Sequence, residues 1–114
     1  MLVIRNKLPL SSDVSFLLIR GGYEVLIDSN LHTFLSKFNW FLKKSAHSKY
    51  VCTRKIVKGK MIYVRMHRLI LQAPSQMKVH HINHNTLDNR IDNLMLVTER
   101  EHRHFDGWHI FYRQ

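Results

Sequence analysis

Residues Lys78–Asp106 read KVHHINHNTLDNRIDNLMLVTEREHRHFD, and this stretch is the most informative part of the chain. Val79–Ile82 and Leu94–Val97 have strand-like composition, since apolar and β-branched residues flank or fill them. Between them, Asn83–Asp92 is rich in asparagine and aspartate, which favour turns. The pattern predicts two short strands joined by a long polar loop.

A helix is predicted directly after the second strand. Thr98 is followed three residues later by Glu101, the spacing of a capping box in which each side chain bonds the other residue's backbone amide. His102 and Asp106 lie four positions apart and so share one face of that helix, and Gly107 is placed to end it. The segment is therefore predicted to run strand, loop, strand, helix.

Histidines lie on two of these elements. His80 and His81 are adjacent on the first strand, where neighbouring side chains point to opposite faces of an ideal strand, and His102 lies on the helix. A strand and a helix packed side by side can bring such side chains to one metal ion. The alternative is that hydrogen bonds alone satisfy the two strand histidines.

Composition restricts the partners of the chain. Its 114 residues include eighteen lysines and arginines and eight acidic residues, a net charge of +10. This surplus predicts a polyanionic partner, with nucleic acid favoured over an anionic membrane. No stretch approaches the roughly 20 apolar residues of a membrane span, and Met1–Ser12 lacks the pattern of a signal peptide. Because Cys52 is the only cysteine, we expect a reducing, cytoplasmic setting without an internal disulfide.

The region before the informative stretch predicts a hairpin and a helix. Phe16–Arg20 and Tyr23–Ile27 are strand-like runs separated by Gly21-Gly22, which can adopt the positive φ of a tight turn. An apolar stripe at helical spacing follows, formed by Leu31, Phe34, Leu35 and Phe38. The stripe predicts a helix whose apolar face joins the core, opened by a polar cap at residues 28–30.

Three further strands are predicted in the middle of the chain, at Trp40–Lys44, Tyr50–Val57 and Met61–Met66. Lys58-Gly59-Lys60 suits a turn between the last two, and His67–Ala73 suits a short helix that stops before Pro74. No repeat or flexible linker interrupts the sequence. Residues 1–74, an α+β support and DNA-binding region, are therefore expected to pack with residues 75–114 as one compact unit.

Basic residues dominate the outward positions of these middle strands and their turn. They are Lys43, Lys44, Lys49, Arg54, Lys55, Lys58, Lys60 and Arg65. A charged strand face is usually only solvated, but the net charge favours contact with DNA, and a two-stranded ribbon fits the major groove. Arg68 and Arg90 are further candidates for phosphate contacts.

The ordered series of motifs resembles the HNH, or ββα-metal, endonuclease family, and in particular its small phage and intron homing enzymes. The motifs are Met-His-Arg-Leu-Ile from Met66, Val-His-His-Ile from Val79, Leu-Asp-Asn-Arg from Leu87, Asn-Leu from Asn93 and Val-Thr from Val97. Tyr23–Asp28 and Trp40–Tyr50 also resemble the N-terminal half of those enzymes. The resemblance implies an α+β fold in which an N-terminal β-hairpin, a helix and a small antiparallel sheet precede a ββα-metal nuclease motif.

The resemblance also assigns catalytic roles. His81 takes the position of the general base, which activates water for attack on a phosphodiester, and a neutral imidazole with a pKa of about 6.5 suits that role. Asn93 corresponds to the central asparagine, which holds the loop and orients the base. Asn89 is the competing assignment, and a simple turn role for Asn93 is the alternative.

One divalent metal ion is implied by the same resemblance, with His80 and His102 at the ligand positions. Asp106, four residues beyond His102, is either a third ligand or a residue that ends the helix. His80 stands where the phage branch commonly has aspartate, and two imidazole ligands shift the preference from Mg2+ towards Mn2+, Co2+, Ni2+ or Zn2+. His84 stands where relatives often have glycine, so we expect a positive φ there.

Together these features predict a metal-dependent endonuclease that nicks or cuts double-stranded DNA, of the kind that phages and other mobile elements encode. Two alternatives stay open. One is a DNA-binding protein that keeps the fold without the activity, which intact His81 and His102 disfavour. The other is a toxin-like nuclease without sequence specificity. The sequence determines neither the target site nor the oligomeric state.

Overall fold

The computed structural model describes residues 13–101, and the architecture there is mixed α and β, as the sequence predicts. Within this range, three small antiparallel sheets and two short helices are joined by turns and 3₁₀ segments. In chain order, the elements are β1 Val14–Leu18, β2 Glu24–Asp28, a 3₁₀ segment Ser29–Leu31, α1 His32–Leu35, β3 Phe41–Lys44, β4 Lys49–Val57, β5 Lys60–Arg65, α2 Met66–Leu71, β6 Met77–His81, a 3₁₀ segment Ile91–Asn93 and β7 Leu94–Thr98. Residues 99–101 are helical.

The hairpin predicted around the two adjacent glycines is confirmed. β1 and β2 pair antiparallel, and Gly21 and Gly22 take φ values of 89° and 85° in the turn. Only glycine adopts such angles without steric cost, so this pair sets the position of the turn. Val25 and Ile27 are completely buried, and β2 therefore presents one face to the core.

The amphipathic helix predicted over residues 31–38 is shorter than expected. A 3₁₀ segment precedes α1, which has only four residues. Leu35 is completely buried, whereas Phe34 and Phe38 keep 44% and 36% of their surface exposed. These two rings pack edge to face, with their centroids 5.4 Å apart. The prediction that the whole stripe joins the core is wrong, because Phe38 lies beyond the end of the helix and Phe34, inside it, stays partly exposed.

The three strands predicted in the middle of the chain are confirmed and form one sheet in the order β3-β4-β5. Lys58 and Gly59 take φ values of 51° and 78° in the turn between β4 and β5. α2 follows β5 directly and ends in left-handed geometry at Gln72, shortly before Pro74. Within residues 13–101, no helix is long and apolar enough to cross a membrane.

The β3–β5 sheet has a buried part and an exposed end. Val51, Cys52 and Thr53 of β4 are buried, whereas every residue from Arg54 to Tyr63 is exposed. We call residues 54–63, the exposed end of the β4–β5 hairpin, the arm. It carries large apolar side chains, among them Ile56 with 67% of its surface exposed. The arm therefore exposes several large apolar side chains to solvent next to its charged ones, which is uncommon on a protein surface.

One hydrophobic core joins the N-terminal hairpin, the β3–β5 sheet and the β6–β7 pair. Its completely buried side chains include Val25, Leu35, Val51, Met66, Ile91 and Leu96. The β6–β7 loop also pairs with β2, since the N–H of Leu26 donates to the carbonyl of Leu87, and the N–H of Asn89 donates to the carbonyl of Leu26, each at 2.8 Å. Both hydrogen bonds cross the predicted boundary at residue 74.

Asp28 strengthens this docking instead of capping the helix. Its side chain makes no hydrogen bond to the helical segments that follow it. Its Oδ2 accepts a hydrogen bond of 2.7 Å from the N–H of Ile91, 63 positions further along the chain. Asp28 therefore does not supply the predicted cap, because a long-range partner takes its side chain.

Candidate active site and nucleic-acid interface

His81 ends β6 and keeps only 9% of its surface exposed. Its Nε2 lies 2.7 Å from Oδ1 of Asn89. The amide nitrogen of Asn89 donates to Sδ of Met66 at 3.4 Å, so the amide oxygen faces the imidazole and accepts a hydrogen from Nε2. In a neutral ring with this tautomer, Nδ1 is the nitrogen that can take up a proton.

The surroundings of His81 favour its neutral form. Burial lowers the pKa of the imidazole and outweighs the opposite effects of the Asn89 hydrogen bond and the nearby Asp88 carboxylate. An imidazole that is already neutral at pH 7 is in the state that accepts a proton. Both the tautomer and the charge state of His81 are thus compatible with a general base.

Asn89 is completely buried and is held by three parts of the fold. Its backbone N–H donates to Leu26 of β2, and its side chain bridges Met66 at the start of α2 and His81 at the end of β6. Of the two asparagines considered for orienting the base, Asn89 is therefore the one that bonds the imidazole.

Asn93 holds the loop through a different set of bonds. Its Oδ1 accepts the N–H of Asn83 at 3.0 Å, and its Nδ2 donates to Oδ1 of Asn83 at 2.9 Å and to the carbonyl of Asp88 at 2.8 Å. Its own carbonyl accepts the N–H of Ile82 at 2.8 Å. Because Ile82 directly follows His81, Asn93 fixes the backbone beside the imidazole rather than the imidazole itself.

Arg90 is engaged inside the loop instead of pointing a free guanidinium at a phosphate. Its Nε and Nη2 donate to the two carboxylate oxygens of Asp88 at 2.8 and 2.7 Å. Burial acts to raise the pKa of Asp88, but hydrogen bonds from Arg90 and Asn83 outweigh it, and the net shift is downward. A two-pronged bond to a charged carboxylate neutralises the guanidinium. In the described structure Arg90 thus has a structural partner, and its phosphate contact stays a prediction.

Arg68 is similarly committed to the protein itself. Its Nη1 donates to the carbonyl of Met77 at 2.8 Å. Its Nη2 donates to the carbonyls of Pro74 at 2.8 Å and Ala73 at 3.4 Å. Arg68 thus fastens α2 to the connector that leads into β6. These donors are used on backbone carbonyls, and the phosphate contact of Arg68 stays a prediction.

His67 lies against the candidate base, a contact that the sequence did not predict. The ring centroids of His67 and His81 are 4.8 Å apart, with an interplanar angle of 70°. Nδ1 of His67 is buried without a hydrogen-bond partner among residues 13–101, and burial lowers the pKa of this histidine to about 3. The Met-His-Arg segment was the only sequence signal for this residue, because tertiary packing alone brings α2 against β6.

One cleft of about 420 Å³ collects most of these histidines. His80 and His81 both line it, although adjacent strand residues are expected to face opposite ways. His84 lines it too, with a ring centroid 5.4 Å from that of His80. The positive φ expected at His84 is confirmed at 67°.

Imidazole donors in this cleft suit a divalent transition metal. His80 is the predicted ligand that the structure describes, whereas His102 and Asp106 lie outside the described residues. Between residues 13 and 101, no group of three or more histidine, cysteine, aspartate or glutamate side chains is arranged to hold a metal ion. The described donors fit one part of a metal site, and the full ligand set stays a prediction.

The charge of the chain is concentrated around this cleft. Residues 29–87 contain eleven of the eighteen lysines and arginines and none of the eight acidic residues. They include the β3–β5 sheet, α2 and β6. Lys78 pairs with Glu99 from outside the segment, but the segment as a whole carries a large positive charge, which attracts a polyanion.

The basic residues predicted to contact DNA lie on two different faces of the β3–β5 sheet. Side chains alternate along a strand, so Lys43 and Lys44 of β3 point to opposite faces, as do Arg54 and Lys55 of β4. We call the face with Lys43 and Arg54 the cation–aromatic face, and the face with Lys44 and Lys55 the lysine face. Alternation thus divides these basic residues between two surfaces.

The cation–aromatic face is named for three cations that stand over aromatic rings. The pairs are Lys43 over Tyr63 at 4.6 Å, Arg54 over Phe41 at 4.5 Å and Arg65 over Tyr50 at 4.5 Å from the ring centroids. The other two predicted contacts on the hairpin, Lys58 and Lys60, lie at its turn. Only the cation–aromatic face combines charge with rings in this way.

Residues 64–104 match a family model described as HNH endonuclease. The match begins at the end of β5 and includes α2, β6, the polar loop and β7, and therefore His67, His81 and Asn89. Over this segment the chain is similar to the HNH endonuclease family. Residues before 64 lie outside the match, so the likeness of the N-terminal half to homing enzymes stays a prediction. No curated protein and no solved structure matches the chain.

Proposed function

We propose that this protein is a metal-dependent endonuclease that hydrolyses phosphodiester bonds of double-stranded DNA, with His81 as the general base. The family match supports nuclease activity. The hydrogen bond between Nε2 of His81 and Asn89 carries the assignment of the base, because it leaves Nδ1 unprotonated on a neutral ring.

In the proposed reaction, Nδ1 of His81 takes a proton from water as the water oxygen attacks phosphorus. The 3′ oxygen leaves, which gives the 5′-phosphate and 3′-hydroxyl products that the resemblance implies. Asn89 keeps the imidazole in the reactive tautomer. A divalent metal held by His80, His102 and Asp106 would supply positive charge that stabilises the phosphate in the transition state.

The choice of DNA as substrate rests on charge and shape. All residues that line the cleft belong to segment 29–87, which has eleven lysines and arginines and no acidic residue, and phosphate contacts by such cations dominate the affinity of proteins for DNA. The exposed β4–β5 arm has the dimensions of a two-stranded ribbon, which the major groove of a duplex admits. Both features favour a duplex over a small phosphodiester.

Plasmid cleavage tests the proposal directly. Supercoiled plasmid is incubated with the protein and Mg2+, Mn2+, Co2+ or Ni2+, and we expect nicked or linear products. His81→Ala should lower the rate by about 10²–10⁴-fold, the usual contribution of a general base, with DNA binding retained. His32→Ala is the matched control, because His32 does not line the cleft, and it should cleave at the wild-type rate.

Wild-type cleavage by His81→Ala would contradict the assignment of the base. The product pattern separates the remaining alternatives. Discrete bands support a sequence-selective enzyme, a smear indicates a toxin-like nuclease, and binding without cleavage under every metal indicates a DNA-binding protein that lacks the activity.

Calorimetry with Ni2+ tests the metal site separately from activity. Imidazole ligands favour Ni2+ over Mg2+, so the wild type should bind Ni2+ and His80→Ala should lose most of that affinity. His47→Ala is the control, since His47 is an exposed histidine that lines the same cleft and is not a proposed ligand. Unchanged Ni2+ affinity in His80→Ala would remove this residue from the proposed ligand set.

A further inference from the structure

The cation–aromatic face continues without a break from the cleft to the arm. Tyr50 and Arg65 line the cleft together with His81. The same two residues line a second depression with Lys43 and Tyr63. We call the continuous surface the strip, and it is formed by Phe41, Lys43, Tyr50, Arg54, Tyr63 and Arg65.

The rings hold the cations of the strip in place. A cation within about 6 Å of a ring centroid is attracted to the ring face, and all three pairs meet this distance. Arg65 also donates from Nη2 to the hydroxyl of Tyr50 at 3.3 Å. A ring does not neutralise charge as a carboxylate would. The three cations are therefore ordered before binding and still carry their full charge.

An apolar pair ends the strip at the far end of the arm. Ile56 and Met61 are cross-strand partners on the same face as Arg54. Ile56 is 67% exposed and Met61 is 46% exposed. Exposed apolar side chains at the tip of a basic ribbon suit contact with the methyl groups of thymine or with a base step, both of which lie inside a DNA groove.

We propose that the strip binds the DNA backbone on one side of the scissile phosphate, and that Ile56 and Met61 at its end enter a groove of the same duplex. The position of the scissile phosphate rests on the proposed function. The proposal removes Lys44 and Lys55, on the lysine face, from the set of DNA contacts.

The length of the strip sets where the groove contact falls. Tyr50, beside the cleft, and Ile56, at the tip, are six residues apart on β4, which is about 20 Å at roughly 3.4 Å per residue. Along a duplex that distance is about six base pairs at 3.4 Å each. DNA protection should therefore extend further on one side of the cut than on the other.

Two matched double variants test which face binds. Both are made in the His81→Ala background, so that a defined duplex oligonucleotide is bound without being cut. K43Q/R54Q removes two cations from the strip, and K44Q/K55Q removes two from the adjacent positions on the lysine face. Affinity is measured against salt concentration, since each lost phosphate contact lowers the slope of log K against log salt by about 0.9.

We expect K43Q/R54Q to flatten the slope by about 1.8 and K44Q/K55Q to leave it nearly unchanged. Equal flattening by both variants, flattening by K44Q/K55Q alone, or no flattening by either would each overturn the proposal. Thermal melting of both proteins checks that they are folded. The residues exchanged are surface cations, so no change in melting temperature is expected.

Footprinting with the I56S/M61S variant tests the groove contact. Protection from hydroxyl radicals should be lost about six base pairs from the cut on one side only, and retention of the wild-type footprint would overturn the contact. The two proposals fail in different ways. Absent cleavage with intact strip-dependent binding removes the proposed function, whereas intact cleavage with strip-independent binding removes the strip.

Discussion

The β3–β5 sheet and the loop between β6 and β7 are both rich in polar residues, but they use them in opposite ways. The sheet turns its cations outward, with no carboxylate in its own segment. The loop turns two of its asparagines inward, since Asn89 and Asn93 are both buried and hydrogen-bonded. The polar residues of the sheet are free to contact a partner, whereas those of the loop hold an irregular backbone in place through side-chain hydrogen bonds.

This difference predicts two kinds of variant. Changes in the loop should lower stability or turnover, because a buried polar group that loses its partner carries a cost. Changes at the exposed end of the sheet should leave folding unaffected and alter DNA affinity alone. A loop variant that altered only DNA affinity, or a variant at the exposed end of the sheet that lowered stability, would contradict this difference.

Among the changes that compare these two regions, the largest effect is expected at Asn89. Asn89→Leu removes the acceptor for Nε2 of His81, and groups that orient a functional imidazole typically contribute about 10–100-fold to activity. Asn89→Asp keeps an oxygen acceptor and should retain more activity. Plasmid nicking rates at saturating protein measure both. Equal rates for Asn89→Leu and the wild type would show that the base needs no orienting partner.

Asp28 ties the N-terminal hairpin to the loop, and its removal should cost stability. Asp28→Ala leaves the buried N–H of Ile91 without its acceptor, which should lower the free energy of unfolding by about 1–3 kcal/mol. Urea denaturation measures the change. Glu24→Ala, at the exposed end of the same strand, is the control and should stay within about 0.5 kcal/mol of the wild type. Equal free energies of unfolding for the two variants would show that the hydrogen bond from Ile91 to Asp28 does not stabilise the fold.

The pH dependence of stability tests the burial of His67. Its pKa is about 3 in the folded protein and about 6.5 when unfolded, so between these values the unfolded state binds one more proton. This contribution to stability is complete above pH 6.5 and is lost as pH falls towards 3, by up to about 1.4 kcal/mol per pH unit.

Urea denaturation between pH 7 and pH 5 measures this slope. His67→Phe removes the titrating group, and the dependence on pH should then weaken by about one proton. The lowered pKa of His81 leaves some slope in the variant. An identical slope in His67→Phe and the wild type would show that His67 titrates normally.

The smallest effect is expected in the arm. Val51 and Ile56 lie on the same strand, but Val51 is completely buried and Ile56 is mostly exposed. Val51→Ala should cost about 1.5 kcal/mol or more, since two methyl groups leave the core. Ile56→Ala should change the free energy of unfolding by less than about 0.5 kcal/mol. A large loss of stability in Ile56→Ala would show that the arm packs against the rest of the protein.

Local signals in the sequence were sufficient for most secondary structure. The glycine pair, alternation and the proline stop place the strands and α2 within a residue or two of their observed ends. The capping box is also confirmed, since the N–H of Thr98 donates to Glu101 at 2.9 Å and the N–H of Glu101 donates to Thr98 at 3.1 Å. These interactions connect residues close in sequence, which is why pattern alone reveals them.

The parts that sequence could not predict depend on distant residues. The contact of His67 with His81 and the bond of Asp28 to Ile91 join elements far apart in the chain. The choice between Asn89 and Asn93 also needed tertiary structure, because both positions read as loop asparagines. Motif order identified the candidate base, whereas its neighbours follow from packing.

Because the loop pairs with Leu26, the segment that matches the family model does not contain all the hydrogen-bond partners of its own backbone. The matched region, residues 64–104, does not contain Leu26 or Asp28. A graft of that region into another scaffold would leave the N–H of Asn89 and the N–H of Ile91 without their acceptors. A working transplant would have to carry the hairpin of β1 and β2 along with it, or supply an equivalent strand edge. The residues needed to fold this segment therefore extend beyond those that match the family model.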